Sequence, residues 1–165
     1  MGIVKNFVVL ASGVDADASA VRYIRNPPRA LKNIAGEAEA TSPDGHDPDG
    51  GGKEAPAAID GDYQTYWDER DNKKSYIIKL TFPGKRTVFA IGITGYKHHE
   101  NAPKDFRIVL DGSVKLPVKN AVYRGNRLHL AFAGRECTTL ELRITGYYHK
   151  SPGIRELRVY GAGKD

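Results

Sequence analysis

The 165-residue chain has one cysteine, Cys137, one methionine and one tryptophan. A lone cysteine excludes an intramolecular disulfide and any cysteine-based zinc site. Followed by Thr138, Thr139 and Leu140, it reads as a small hydrophobe buried at the entry to a strand. Long apolar runs are also missing: Phe7 to Ala11 is too short to cross a membrane and short for a signal-peptide core. Met1-Gly2 lacks the Ser or Thr of a myristoylation start, since Asn6 stands there. The N-terminus is therefore read as a fragment boundary, with any export signal upstream.

Concentrated charge is scarce. The formal net charge is +5, but the 25 Lys and Arg are interleaved with 20 Asp and Glu, with no basic run longer than two. Counterion release rewards a basic stripe, not an average excess, so nucleic acid is not expected as a partner. Catalytic signatures are lacking as well. There is no Gly-x-Ser-x-Gly elbow, and Asp68 and Glu69, as neighbours on an extended chain, point to opposite faces and do not form an acid/base pair. No catalytic residue is assigned, and the chain is expected not to be an enzyme.

Turn chemistry is abundant. Eighteen Gly and nine Pro fall between short apolar runs, and 40% hydrophobic content supports one sizeable core. Tyr76, Ile78, Leu80 and Phe82 share one face, with Lys79 and Thr81 on the other, the period of a half-buried strand. Pro83-Gly84 is expected to turn the chain into Val88–Tyr96. Phe106–Leu110 meets a hairpin turn at Asp111-Gly112. Val114–Val118, Ala121–Tyr123, Leu128–Phe132, Thr139–Tyr147 and Ile154–Tyr160 complete about eight antiparallel strands, an all-β sandwich or jelly roll. Upstream, Val4–Ala11 and Ala20–Arg25 are strand-like, and Asn26-Pro27-Pro28 enforces an extended path. Ser42–Gly52 reads as a polar surface loop; four Gly and two Pro give Asp44, His46, Asp47 and Asp49 no scaffold for a second metal site.

Ala57 to Trp67 is the densest stretch. Asp60, Asp62 and Thr65 bring oxygen ligands within six residues, Gly61 gives them a tight turn, and the lone indole follows. Calcium takes carboxylate, hydroxyl and carbonyl oxygens at about 2.3–2.6 Å, and a glycine turn aims several at one centre. An isolated Asp-Gly pair would read as a turn followed by a strand. Thr65 and Trp67 at fixed offsets favour a hard-cation loop, in an order unlike an EF-hand.

Ile93-Thr94-Gly95-Tyr96-Lys97-His98 and Ile144-Thr145-Gly146-Tyr147-Tyr148-His149 nearly repeat each other, each ahead of a proline, Pro103 or Pro152. If both strands end at one pole, the two loops present Tyr and His side chains to one patch. An aromatic ring with a few planar polar groups suffices for millimolar sugar affinity, about 4 kcal/mol. Tyr96 and Tyr147 read equally well as rim residues packed on the fold. His98, His99 and His149 taken singly read as solvated loop residues.

Asn33-Ile34-Ala35, the Ala58–Asp62 segment with Thr65 and Trp67, Asp105–Gly112 and Ile154–Gly161 together resemble the coagulation-factor type C, or discoidin, domain. This galactose-binding-like β-sandwich includes the family 32 carbohydrate-binding modules. The resemblance covers about Leu31 to Gly161 and implies a discoidin-like module over residues 31–165, with residues 1–30 an extended segment. A shorter match, Ala20–Tyr23 with Asn26-Pro27-Pro28, resembles the tail of sialate O-acetylesterase-type enzymes and implies that the segment ends an upstream catalytic domain. By family position, a structural Ca2+ would be held by Ala57, Asp60, Asp62, Thr65 and Glu156. Sugar would be held by Asp68, Lys97 or His98, Asn101 and Tyr148, with His149 in the same patch. Asp68 stands where galactose binders carry His, and their middle-loop Arg is absent, so the resemblance does not transfer galactose specificity.

The function it implies is a non-catalytic module that targets a parent glycan-active enzyme to carbohydrate. The alternative is an interaction domain packed on an esterase neighbour without binding sugar. An extracellular or periplasmic setting is implied, where missing disulfides are unexceptional. Membrane binding, known among the clotting relatives, is not expected of loops rich in Lys, His, Asn and Tyr.

Overall fold

The computed structural model describes residues 20–43, 53–96 and 101–162. The strand expected at Val4–Ala11, the group Asp44, His46, Asp47 and Asp49, and the side chains of Lys97, His98 and His99 lie outside the described residues.

Nine strands occur among the described residues: β1 (Arg22–Tyr23), β2 (Lys32–Asn33), β3 (Glu39–Thr41), β4 (Trp67–Asp68), β5 (Tyr76–Gly95), β6 (Pro103–Leu110), β7 (Val114–Val118), β8 (Arg127–Tyr147) and β9 (Gly153–Gly161). All pairings between them are antiparallel. The long strands β5 and β8 pair from Tyr76↔Ile144 to Thr94↔Arg127, a ribbon that serves both layers of a sandwich. On its first half lie β3, paired with Lys79, Leu80 and Thr81 of β5, and β6 followed by β7. On its second half lie β1 and β9, with β2 and β4 against β9.

The turn expected at Pro83-Gly84 is instead a bulge within a continuous strand. Five steps from Thr81 to Arg86 oppose two from Thr139 to Cys137. The proline, which has no N–H, thus sits where no ladder bond is required. On the partner strand, a Cβ at Gly134 would overlap the Phe89 ring, so glycine lets the ribbon bend there. Likewise, Leu128–Phe132 and Thr139–Tyr147, expected as separate strands, are one. Ala121–Tyr123 is not a strand: its Ala121 N–H donates to the Lys104 carbonyl (2.8 Å), and the Tyr123 hydroxyl donates to the Pro103 carbonyl (2.9 Å). Asp111-Gly112 does turn β6 into β7, and the Asp111 carboxylate caps the Thr138 and Thr139 N–H groups at 2.8 and 2.9 Å.

The core lies between the layers and takes in Ile78, Leu80 and Phe82 from β5, Ile108 from β6, Leu140 and Leu142 from β8, and Leu157 from β9. Fully burying side chains of this kind contributes about 1.5–3 kcal/mol each. Cys137 is buried among them, and burial, followed by nearby Asp111, pushes its thiol up to about 11. Trp67 is also wholly buried, paired with Ile154 on β9, its indole N–H 3.4 Å from the Ser42 hydroxyl.

Candidate functional site

A short 3-10 turn, Ala55–Ala58, carries Pro56 as its second residue and delivers the Ala57 carbonyl toward the Gly61 turn, where φ is 77°. Beyond it the chain folds on its own oxygens. Asp60 Oδ1 accepts the Asp62 N–H (2.8 Å), and Asp62 Oδ1 accepts the Gln64 N–H (2.8 Å). Thr65 Oγ1 stands 2.6 Å from Asp60 Oδ2, 3.0 Å from the Asp62 carbonyl and 3.4 Å from the Ala57 carbonyl. One hydroxyl proton cannot serve three acceptors, so the focus is rich in lone pairs and poor in protons.

Glu156 on β9 joins this set. Its side chain is buried, and its Oε1 has no hydrogen-bond partner. Burial raises its carboxyl to about 7; Asp60 and Asp62 add to the rise, and the Gly61 N–H opposes it. A buried acid next to two further carboxylates is a position that a cation would relieve. Among the described residues, no three His, Cys, Asp or Glu side chains gather at metal-holding spacing. The oxygens that gather on Thr65 include the Ala57 and Asp62 carbonyls, donors of the kind that calcium takes. The five residues expected as ligands fit that donor set. The Asp62 oxygen beside Thr65 is its carbonyl, while its Oδ1 is engaged in the turn.

The two near-repeated loops meet at one pole. Tyr96 N–H donates to the Gly153 carbonyl (3.0 Å), Gly153 N–H to the Asn101 carbonyl, and Tyr148 N–H to the Ala102 carbonyl (3.1 Å). Gly153 is required by this approach, since a Cβ there would lie 2.8 Å from Tyr96 Cβ. Ser151 links two expected sugar residues: its hydroxyl donates to Asp68 Oδ1 (2.8 Å), and its carbonyl accepts from Asn101 Nδ2 (3.4 Å). Tyr148 is half-buried beside them, its hydroxyl donating to the Ala121 carbonyl (3.1 Å) and Lys104 Nζ 5.7 Å from its ring. His149 is exposed, with a left-handed φ of 67°. Asp68, Asn101, Tyr148 and His149 thus share one seam, while Lys97 and His98 lie outside the described residues.

Both rim tyrosines are packed. Tyr96 stacks on Tyr66, and Tyr147 meets Tyr76 edge-on while donating to the Lys73 carbonyl (3.1 Å). Three residues of the site carried no signal of their own in the sequence. Ser151 bridges the seam, and Tyr66 and Arg155 back it. Glu69 is fully buried with Lys73 Nζ 3.8 Å away.

No protein-family model matches the sequence. No curated protein matches it. Solved structures do match in fold. A family 32 carbohydrate-binding module of Clostridium perfringens, determined with galactose, is 19% identical with a TM-score of 0.64, covering 79% of this chain and 98% of that one. A second module from C. perfringens, determined with GalNAc-β-1,3-galactose, is 20% identical with a TM-score of 0.62, covering 78% and 99%. A fucolectin from striped bass serum is 19% identical with a TM-score of 0.59, covering 81% of this chain and 48% of that one. The fold is a discoidin-like β-sandwich, as the resemblance implied.

Proposed function

We propose that this chain is a non-catalytic carbohydrate-binding module that holds a parent glycan-active enzyme on its polysaccharide outside the cell or in the periplasm. The observation that carries the reading is the seam at which Ser151 joins Asp68 to Asn101, with Tyr148 alongside. The half-buried Asn101 amide and Tyr148 ring are the groups that fix sugar hydroxyls and cover an apolar sugar face, while the buried Asp68 carboxylate holds Ser151 in place beneath them. Weak single-site affinity is sufficient for this role, because tethering raises the effective concentration of substrate around the enzyme.

In the same reading, Ala57, Asp60, Asp62, Thr65 and Glu156 hold a structural Ca2+. The ion would supply the positive charge that the buried Glu156 carboxyl and the Ala57 and Asp62 carbonyls call for. The chain's own part is to stitch the Gly61 turn to the last strand, which steadies Trp67 and the pole above it.

A second reading is an interaction domain that packs on a neighbouring esterase without binding sugar. It is favoured by the internal hydrogen bonds of the Tyr147 and Tyr148 hydroxyls, which tie both side chains into the fold. Affinity gels and a glycan array separate the two. Retardation by at least one polysaccharide, lost in Asn101→Ala, supports the module; a blank across galactosides, sialosides, pectin and acidic algal polysaccharides supports the interaction domain.

A further inference from the structure

A cleft of about 780 Å³ opens beside the seam, lined on one side by Tyr23, Arg25 and Asn26 and on the other by Arg124, Arg127 and His129. Its first wall belongs to the segment upstream of Leu31, outside the stretch that carries the discoidin resemblance. That wall is docked. The Ile24 N–H donates to the His129 carbonyl (3.1 Å), and the Val122 N–H donates to the Tyr23 hydroxyl (3.2 Å). Tyr23 nonetheless stays 53% exposed, one of three exposed large hydrophobic residues among those described.

The second wall is a tight turn. Arg124 and Arg127 exchange both backbone hydrogen bonds across Gly125-Asn126, at 2.9 and 3.2 Å. Directly opposed residues of this kind bring their side chains together, and like charges in that position are destabilising. No acidic residue lines the cleft, and among the described residues no ion pair engages Arg25, Arg124 or Arg127. His129 does not add to the charge at neutral pH, because burial and then Arg127 lower its pKa. Three guanidiniums are left facing solvent around one exposed aromatic ring.

Resting on the reading above, we propose that this cleft is a second subsite that takes the anionic group of an acidic polysaccharide, a uronate carboxylate or a sulfate ester. Guanidinium forks match either group bidentately, and the Tyr23 ring offers an apolar face to the adjoining sugar. The segment Ala121–Val122 links the two places, since the Ala121 carbonyl accepts from Tyr148 and Val122 lines the cleft. One polymer chain laid across the pole therefore reaches both. A short cleft with one ring suits a saccharide better than a duplex, whose phosphates call for an extended basic stripe.

The test titrates the full chain with polygalacturonate, a sulfated galactan, a neutral galactan and duplex DNA at two salt concentrations. At least one acidic polymer is expected to bind more tightly than the neutral one, and which does so identifies carboxylate or sulfate. The Arg124→Ala/Arg127→Ala pair is expected to weaken that binding by about tenfold or more while leaving the neutral galactan unaffected. Arg25→Ala, in an exposed segment, gives a smaller loss and serves if the double variant melts early. Equal binding of acidic and neutral polymers, unchanged affinity in both variants, or DNA bound as tightly as the saccharide overturns the subsite. If the acidic polymer binds and is weakened by the Arg124→Ala/Arg127→Ala pair but not by Asn101→Ala, the seam reading falls and the cleft stands.

Discussion

The rings of Tyr66 and Tyr96 lie face to face, centroids 3.8 Å apart and planes 9° from parallel. Arg155 covers the pair, its guanidinium carbon 5.9 Å from the Tyr66 centroid and 5.2 Å from that of Tyr96. Tyr66 follows the oxygen-rich turn directly, Tyr96 begins the first of the paired loops, and Arg155 precedes Glu156 on β9. The stack therefore couples the candidate calcium site to the candidate sugar seam. Burial, with Tyr96 next, pushes the Tyr66 hydroxyl far above its usual range, so it stays protonated.

Tyr96→Ala removes that coupling. An aromatic pair contributes about 0.5–1.5 kcal/mol beyond area burial, so the expected loss is about 1–3 kcal/mol in urea denaturation. Tyr96→Phe keeps the ring and should lose less than half as much. Equal losses would place the effect in the hydroxyl and not in the stack.

Calcium should stabilise the fold. At a concentration of about one hundred times Kd, a ligand of the native state adds about 2.7 kcal/mol, worth several degrees of Tm for a domain of this size. Differential scanning calorimetry with calcium and with chelator checks it. The calcium-dependent rise should vanish in Asp60→Ala, and a wild-type melt indifferent to chelator would remove the ion from the account.

Glu156 gives the pH dependence. Its folded pKa of about 7 exceeds the ordinary 4.5. A carboxyl raised on folding contributes stability that is fully present below about 4.5 and lost as pH rises through about 7. Chelated protein should therefore melt progressively lower between about pH 5 and pH 8, and Glu156→Gln should flatten that slope. Calcium, by favouring the ionised form, should reverse it, with affinity falling as the pH drops below about 7. An identical slope in the wild type and Glu156→Gln would assign the titration elsewhere.

Much of the fold was legible because period-2 alternation and turn residues are local signals. Tyr76–Phe82 and Phe106–Leu110 fell where expected, as did the Asp111-Gly112 turn. Pro83-Gly84 misled because bulges and turns recruit the same residues for the same reasons: a missing N–H and a free φ. Only the register against Cys137 and Thr139 distinguishes them. The near-repeat correctly brought the Tyr96 and Tyr148 loops together. It said nothing of Ser151, whose role depends on Asp68, a residue 83 positions away. The arginine cleft was similarly hidden, since its walls are joined by a Tyr23–Val122 contact spanning 99 residues.

Asn101→Ala separates binding from folding. The half-buried amide makes one long contact, to the Ser151 carbonyl at 3.4 Å. Its removal should change Tm by no more than a few degrees while weakening saccharide binding by about tenfold, the loss of roughly one well-placed hydrogen bond to a sugar hydroxyl. A large Tm loss with affinity preserved would make Asn101 a loop brace.

The most direct measurement is isothermal titration of the calcium-loaded chain against a panel of neutral and acidic polysaccharides, with Asn101→Ala alongside. Saturable heat with at least one polymer, at micromolar to millimolar Kd and diminished in the variant, is the expected result. No heat from any polymer, with the protein folded and calcium-loaded throughout, would contradict carbohydrate binding.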